Sequence, residues 1–486
     1  MVMRKWDGFE LLIVAYRCTH RMLSSESDMS KRMPDFSKLR MSVSGRVLDP
    51  NDSAYESARQ ALIWNKRKPS RFPDVLVVRP ESVEDVASAV RFAKHHGLQV
   101  GIRSGGHSWT ASFMRDGGVL LDMSAFDKLH IDATAKTATV GPAVKGARLI
   151  EKLGELGLFF PAGHCDTVAL GGYLLQGGFG WHSRRRGPAC ASVRSAQVVT
   201  ADGEIVRVDP ENNADLFWAM RGAGPGFFGV VTEFELELYD RPPVLRFTAH
   251  AYHFELMDEI FPWLANTLPE LSPDLECSAL AKTDAETGKL SIQMRGVVLA
   301  ESEDAATAAL AVIDDCPMRK RAYTRNHNLP ITFAQLYSGM DKNYPPDMRI
   351  ALDNAWSDAR PDDLLPGIHT AVDSMPNSPP THFMLQPWGR SPNMPDMAFS
   401  MEANIFMIAS TGWYDPAEDD LHQGWVTDSM RRLESKSLGI KLGDENLASR
   451  PARFMSPTNF ARLKEIRQTW DPGGVFHTYT ALPDDA

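Results

Sequence analysis

The stretch Pro161 to Trp181 reads PAGHCDTVALGGYLLQGGFGW. Two glycine pairs, Gly171-Gly172 and Gly177-Gly178, follow Cys165, with Gly180 just beyond. Glycine lets a backbone approach a flat or anionic ligand closely, because no Cβ intervenes. Upstream, Arg103-Ser104-Gly105-Gly106-His107-Ser108 repeats the theme of a glycine pair beside a reactive side chain. Taken singly, His107 reads as a hydrogen-bonded turn residue and Cys165 as a small buried hydrophobe. Taken together they are two nucleophiles, each in a loop whose glycines admit a tricyclic ring. Two covalent bonds to one electron-poor ring would need that combination.

Working outward, Asp74 to Val78 is a β-branched run, and Ser82-x-x-Asp85 opens an amphipathic helix that Gly97 stops. Leu98 to Arg103 alternates like a strand and delivers the chain into the Ser104 to His107 turn, where successive N–H groups can converge on an anion. Val119 to Leu121 and Lys136 to Val140 read as further strands, and Val144 to Leu156 as a helix. Ala196 to Thr200 and Glu204 to Val208 flank Asp202-Gly203 as a hairpin. Val230 to Leu238 is a long alternating strand. The texture changes at Arg241-Pro242-Pro243, after which helices (Phe254 to Leu268, Ser302 to Ile313) alternate with strands (Leu290 to Val298, Phe383 to Pro387, Asn404 to Ser410). The dense prolines from Pro361 to Pro395 predict loops capping a sheet, and Pro457 to Gln468 predicts a final helix.

A chain of 486 residues exceeds one ordinary core, so two domains are expected. The formal charge of −10 argues against a nucleic-acid partner. Arg184-Arg185-Arg186 is the one tight basic run; it reads as a solvated loop, or as three cations facing a cofactor phosphate. Five scattered cysteines show no zinc spacing and no disulfide framework. Leu11 to Tyr16 is too short for a signal-peptide core or a membrane span, so a cytoplasmic protein is expected, with residues 1 to 43 as a loosely ordered extension. Neither GxxxxGK[ST], HExxH nor GxSxG occurs. Gly222-x-Gly224-x-Gly226 lacks the third glycine of a dinucleotide fingerprint and precedes a strand rather than a helix.

RSGGHSWT, DGGVLLDMS, GHCDTVALGGYLLQGGFGW, GPAC, RGAGPGFFGVVTEF and NFARLKEIRQTWDPGGVF closely resemble the berberine-bridge-enzyme-like branch of the vanillyl-alcohol-oxidase flavoproteins, over about residues 70 to 240 and 440 to 486. The resemblance implies an α+β fold in two domains. Residues 44 to 240 and the returning segment 447 to 486 would form an FAD domain of two α/β subdomains, and residues 241 to 446 a substrate domain whose large antiparallel sheet, backed by helices, roofs the ring. It also implies FAD bonded through His107 to the flavin C8α methyl and through Cys165 to C6. Arg103, Ser104, Gly105, Gly106, His107 and Ser108 would cradle the pyrophosphate. Gly141, Gly163, His164 and Thr167 to Gly172 would line the ring, and Gly177, Gly178, Gly180, Trp181 and Val230 would hold the remainder. Val168 falls where the family places the residue that gates oxygen, valine being associated with oxidases and leucine with dehydrogenases.

The sequence departs from that pattern at Tyr173, where many relatives have histidine, at Phe227 in place of asparagine, and at Phe476 to Thr480. The expected reaction is hydride transfer from a C–H beside an alcohol or hemiacetal OH to flavin N5, with O2 reoxidation giving H2O2. A base must reach the substrate proton: Tyr479 is the first candidate and Glu402, on a substrate-domain strand, the second. Tyr479 would also touch the flavin, and His477 and Tyr173 would line the pocket. Phe383, Met384, Pro387, Trp388, Phe406 and Met407 would suit a roof over a hydrophobic or sugar-ring substrate. The partners expected are a small-molecule substrate and O2, with no nucleic acid, membrane or metal, in a monomer or homodimer. Oxidation of an amine, alkaloid or aromatic alcohol, a dehydrogenase using another acceptor, and a non-enzymatic flavin or metabolite carrier are the alternatives.

Overall fold

The computed structural model describes residues 34–284 and 288–482. Cys18 and the Leu11 to Tyr16 run lie outside them. Of residues 1 to 43, those from 34 onward are described, and there Ser37–Ser42 is a short helix that buries Leu39 completely, and Phe36 packs on Phe92 with ring centroids 5.9 Å apart.

The first sheet comprises Arg46–Leu48 (β1), Val75–Val78 (β2), Val100–Arg103 (β3) and Val119–Asp122 (β4), in the order β1-β2-β4-β3. β2, β4 and β3 are mutually parallel, which suits the unbroken apolar runs of β2 and β4, because parallel strands are covered on both faces. Helix α1 (Val83–His95) covers one face, with Val86, Ala87, Val90 and Ala93 buried. It starts where Asp85 N donates to Ser82 Oγ at 3.1 Å, and Gly97 follows it with a positive φ of 66°. The second sheet comprises Leu129–Asp132 (β5), Thr137–Val140 (β6), Val193–Val199 (β7), Ile205–Val208 (β8) and Val230–Glu237 (β9), in the order β5-β6-β9-β7-β8. The predicted hairpin is β7-β8. Gly146–Gly154 (α2) and the short Leu170–Leu175 (α3) lie between these strands in sequence.

The third sheet has seven antiparallel strands: Val244–His253 (β10), Leu275–Thr283 (β11), Leu290–Ala300 (β12), Thr324–Pro330 (β13), Arg349–Ser357 (β14), His382–Pro387 (β15) and Ile405–Trp413 (β16), in the order β13-β10-β12-β11-β15-β16-β14. Its alternation is strict. Leu275, Cys277, Ala279 and Ala281 of β11, with Phe383, Leu385, Met407 and Ala409, join one core with helices Met257–Asn266 (α4), Glu303–Asp314 (α5), Pro361–Asp373 (α7) and Asp419–Leu433 (α8). The intervening residues Glu276, Ser278, Arg295, His382, Met384, Gln386 and Phe406 point the other way, into a cavity that Phe333–Asn343 (α6) also borders. The proline-rich stretch therefore holds a helix, α7, with Pro at its start and Pro366 inside it, and not only loops.

The last segment packs back on the first two sheets. Helix Pro457–Trp470 (α9) shares a core with the first two sheets, and Trp470 Nε1 donates to Asp215 Oδ2 at 2.9 Å. Val100 N donates to Val475 O at 2.7 Å and His477 N to Val100 O at 3.2 Å, so the chain end lies along β3. Arg184, Arg185 and Arg186 form a short helix with Ser183 rather than a loop and do not line the cavity, and Arg185 alone of the three is exposed. Arg184 donates to Ser272 O, Leu275 O and Trp388 O, Arg185 pairs with Asp274, and Arg186 stacks on Tyr239 at 4.1 Å. The run bolts the glycine-rich segment to the third sheet.

Candidate active site

A cavity of 720 Å³ lies between the glycine-rich loops and the polar face of the third sheet. The Ser104 to Ser108 loop leaves the carboxyl end of β3, where open parallel sheets place their ligands. Arg103 braces this loop: its guanidinium donates to Leu62 O, Ser104 O and Gly105 O and pairs with Asp122 at 3.0 Å. Its donors are turned into the protein, so Arg103 shapes the cradle without contributing a free cation. Gly106 has φ +71°, and a Cβ there would stand 2.0 Å from Leu62 O, so only glycine fits this turn.

His107 lines the cavity, stacked on Trp64 at 4.3 Å, and its Nε2 is 3.1 Å from Thr167 Oγ1. That contact brings the two loops together two residues from Cys165. Burial pushes His107 down to about 4, so its imidazole is neutral at physiological pH and keeps a lone pair. Burial, followed by the nearby Asp444 and Asp166 charges, pushes the Cys165 thiol up to about 12. The resting sulfur is thus protonated and unactivated by its surroundings. Its reactivity would have to come from a bound electrophile.

Among the residues expected at the cofactor, Arg103 to Ser108, Gly163, His164, Cys165, Val168, Gly171, Gly172, Gly178 and Trp181 line the cavity. Nothing stands within 4 Å of where a Cβ of Gly172 would be, so this glycine leaves open space for a flat group. Gly141, Thr167, Gly177, Gly180 and Val230 stand behind the wall. Gly180 faces Gly163 across a β-bridge, and a Cβ on it would meet Ala162 O at 1.9 Å; it is glycine so that two backbones can cross. Val230 is fully buried in β9, while its neighbours Gly229 and Val231 line the cavity.

Both proposed bases lie elsewhere. Tyr479 donates its hydroxyl to Ala223 O at 2.6 Å and packs on Phe454 at 4.4 Å, a core residue with its proton committed and no contact with the cavity. Glu402 is in a loop before β16 rather than on a strand, and both carboxylate oxygens are taken by the amide and hydroxyl of Ser391 at 3.0 and 2.7 Å. Burial pushes its carboxyl upward. His477 and Tyr173 do line the cavity, as do Met384, Trp388 and Phe406, whereas Phe383 and Met407 face the helices.

Two carboxylates line the cavity: Asp444, which accepts from Trp109 Nε1 at 3.1 Å and pairs with Lys441 at 2.6 Å, and Glu276 on β11. Its Oε1 lies 2.8 Å from His164 Nε2, an electrostatic contact rather than an aligned hydrogen bond, and its Oε2 is buried with no hydrogen-bond partner among the described residues. Burial alone would raise its pKa, but His164, Arg295 and Gln386 outweigh burial and hold the carboxyl below the usual range. The alternation of LECSALAKT, with Glu276, Ser278 and Lys282 on one face, carried this signal in the sequence.

The family described as "FAD binding domain" matches residues 75–209, and "Berberine and berberine like" matches residues 440–483. The first match spans β2, β3 and both glycine-rich loops; the second spans α9 and the strand-like chain end beside β3. The FAD-linked oxidoreductase nodO of Hypoxylon pulicicidum is 30% identical over 87% of this chain and 94% of its own. In structure, 6-hydroxy-D-nicotine oxidase of Arthrobacter nicotinovorans superposes with a TM-score of 0.78 over 91% of this chain and 98% of its own, at 23% identity. A doubly substituted form of the grass-pollen allergen Phl p 4, described as a glucose oxidase, superposes with a TM-score of 0.78 over 93% and 99%, at 19% identity. The form lacking its isoleucine-to-valine change is described as a glucose dehydrogenase. Fold, cavity and glycine loops define a flavin-dependent oxidoreductase. The chain belongs to the berberine-bridge-like FAD-linked oxidoreductases.

Proposed function

We propose that this enzyme is an oxidase that holds FAD by two covalent bonds, through His107 and Cys165, and oxidises a C–H beside an alcohol or hemiacetal hydroxyl with O2 as acceptor, releasing H2O2. The observation that carries the proposal is the convergence of a neutral imidazole and a free thiol, from two glycine-rich loops, on one cavity. When bound, the flavin supplies the hydride acceptor. The chain's own residues do the rest. Gly172 leaves room for the ring, and the braced Ser104 to Ser108 turn presents backbone N–H groups to phosphate oxygens. Trp356, Trp388 and Phe406 exclude water from the sheet side. Glu276, ionised and with one oxygen unpartnered, takes the hydroxyl proton of the substrate, and His164 beside it stabilises the carboxylate while it waits.

Val168 borders the cavity and donates its backbone to the Cys165 carbonyl at 3.4 Å. The contrast between the two Phl p 4 forms, one isoleucine-to-valine change apart, supports valine as the permissive residue for O2. Val168→Leu is expected to slow flavin reoxidation in air by roughly tenfold or more, about 1.4 kcal/mol of added barrier, and to leave anaerobic reduction by substrate unchanged. Stopped-flow measurement of the two half-reactions checks this, with H2O2 yield as the direct test of oxidase activity. Slow reoxidation already in the wild type would make the enzyme a dehydrogenase.

A further inference from the structure

The polar face of the third sheet carries two cations, Arg295 and Lys282, that make no close ion pair with a carboxylate among the described residues. Arg295 on β12 donates its Nε to Ser278 Oγ at 3.2 Å, and no ion pair holds its guanidinium among the described residues. Lys282 on β11 lines the same cavity, also without a carboxylate ion pair among them. Register puts them on one face: Ser278 is opposite Arg295, and Lys282, four residues further along β11, is opposite His382, where the long side chains of both cations act on the His382 ring. Glu276 on that face attracts Arg295 from beyond ion-pair distance and is itself in contact with His164. His382 does not neutralise the pair. Its Nδ1 sits 2.9 Å from Pro380 O, which can only accept, so Nδ1 is the protonated nitrogen, and burial keeps the ring uncharged.

A guanidinium taken out of water and left unpaired is costly unless something in the site repays it, and its planar fork matches a carboxylate through two parallel hydrogen bonds. Both cations are partly desolvated, and burial lowers both. Trp356, Trp388, Phe406 and Ile408 give the same wall an apolar stretch beside the polar Gln293 and Gln386.

We infer that the substrate is a carboxylic acid with an apolar body, its carboxylate held by Arg295 and Lys282 on the sheet face of the cavity. This rests on the same cavity being the flavin and substrate site. Seated there, the acid would leave Glu276, one strand position along from Ser278, free for the group being oxidised.

The test uses the flavin-loaded enzyme and matched ligand pairs: benzoate with benzamide, phenylacetate with phenylacetamide, and butyrate with butyramide, each titrated against the flavin absorption spectrum. The wild type should bind at least one carboxylate roughly tenfold or more tighter than its amide. Arg295→Met should abolish that preference without weakening the amide, and Arg295→Lys should restore part of it, since charge returns without the fork. Lys282→Met should reduce the preference by a smaller factor. Equal binding of acids and amides by the wild type, or a preference unchanged in Arg295→Met and Arg295→Lys, overturns the inference. A colourless wild type would instead overturn the flavin reading on which it rests, and the fluorescence of the denatured chain separates the two failures.

Discussion

Glu276→Gln is expected to slow substrate-driven flavin reduction by about 10²- to 10⁴-fold, the usual contribution of a positioned general base, while the protein stays yellow. The glutamine keeps the shape and the position on β11, loses the proton-accepting charge, and leaves His164 facing a neutral amide. The pH profile supplies a second readout. Because His164, Arg295 and Gln386 hold Glu276 below the usual carboxylate range against the opposing effect of burial, the base is ionised at neutral pH. Its contribution is full above that depressed pKa and is lost as pH falls through it. The acid limb of the wild-type profile should therefore lie below the ordinary glutamate value and vanish in Glu276→Gln. A wild-type-like rate in this variant would return the search for the base to His164 or to solvent.

The second large effect is on stability. Arg450 clasps Asp353 of β14 with Nε to Oδ2 at 2.8 Å and a terminal nitrogen to Oδ1 at 2.6 Å, and donates again to Asn354 O at 2.7 Å. Both side chains are almost fully buried, at 4% and 1% exposure. The pair joins the chain's return toward the FAD region to the third sheet, next to Asn354, whose amide donates to Asp444 O at 2.7 Å. Arg450→Met strands a buried carboxylate and should cost about 3–5 kcal/mol, seen as a large drop in the denaturant midpoint. The double change Asp353→Asn with Arg450→Met should recover much of that loss, because no unpaired charge remains. Equal losses in the single and double variants would show that the cost lies in packing.

The FAD region was largely legible because its signals are local. Ser82 and Gly97 bracket α1, Asp202-Gly203 turns a hairpin, and the glycine pairs announce a close backbone approach. His107 and Cys165 were legible as a pair for the same reason. The substrate sheet was harder to read. β11, β12 and β15 carry charged or polar residues on a face that looks toward a cavity rather than water, so their alternation resembles a solvated edge until the sheet is assembled. Glu276 and Arg295 were missed on that account. Tyr479 and Glu402 were plausible from their chain positions, but only tertiary contacts reveal that Ala223 and Ser391 already use them. Likewise Gly177 and Gly180 look like ligand contacts in sequence, and their need for glycine comes from the Phe399 ring and the Ala162 carbonyl.

The double attachment of the flavin is tested most directly by in-gel fluorescence of the denatured chain under ultraviolet light, after acid precipitation, for the wild type, His107→Ala, Cys165→Ala and the double variant. The account predicts a flavin signal that stays with the chain in the wild type and in each single variant, and is lost only when both side chains are removed. Flavin released from the denatured wild type, or retained by the double variant, would contradict it.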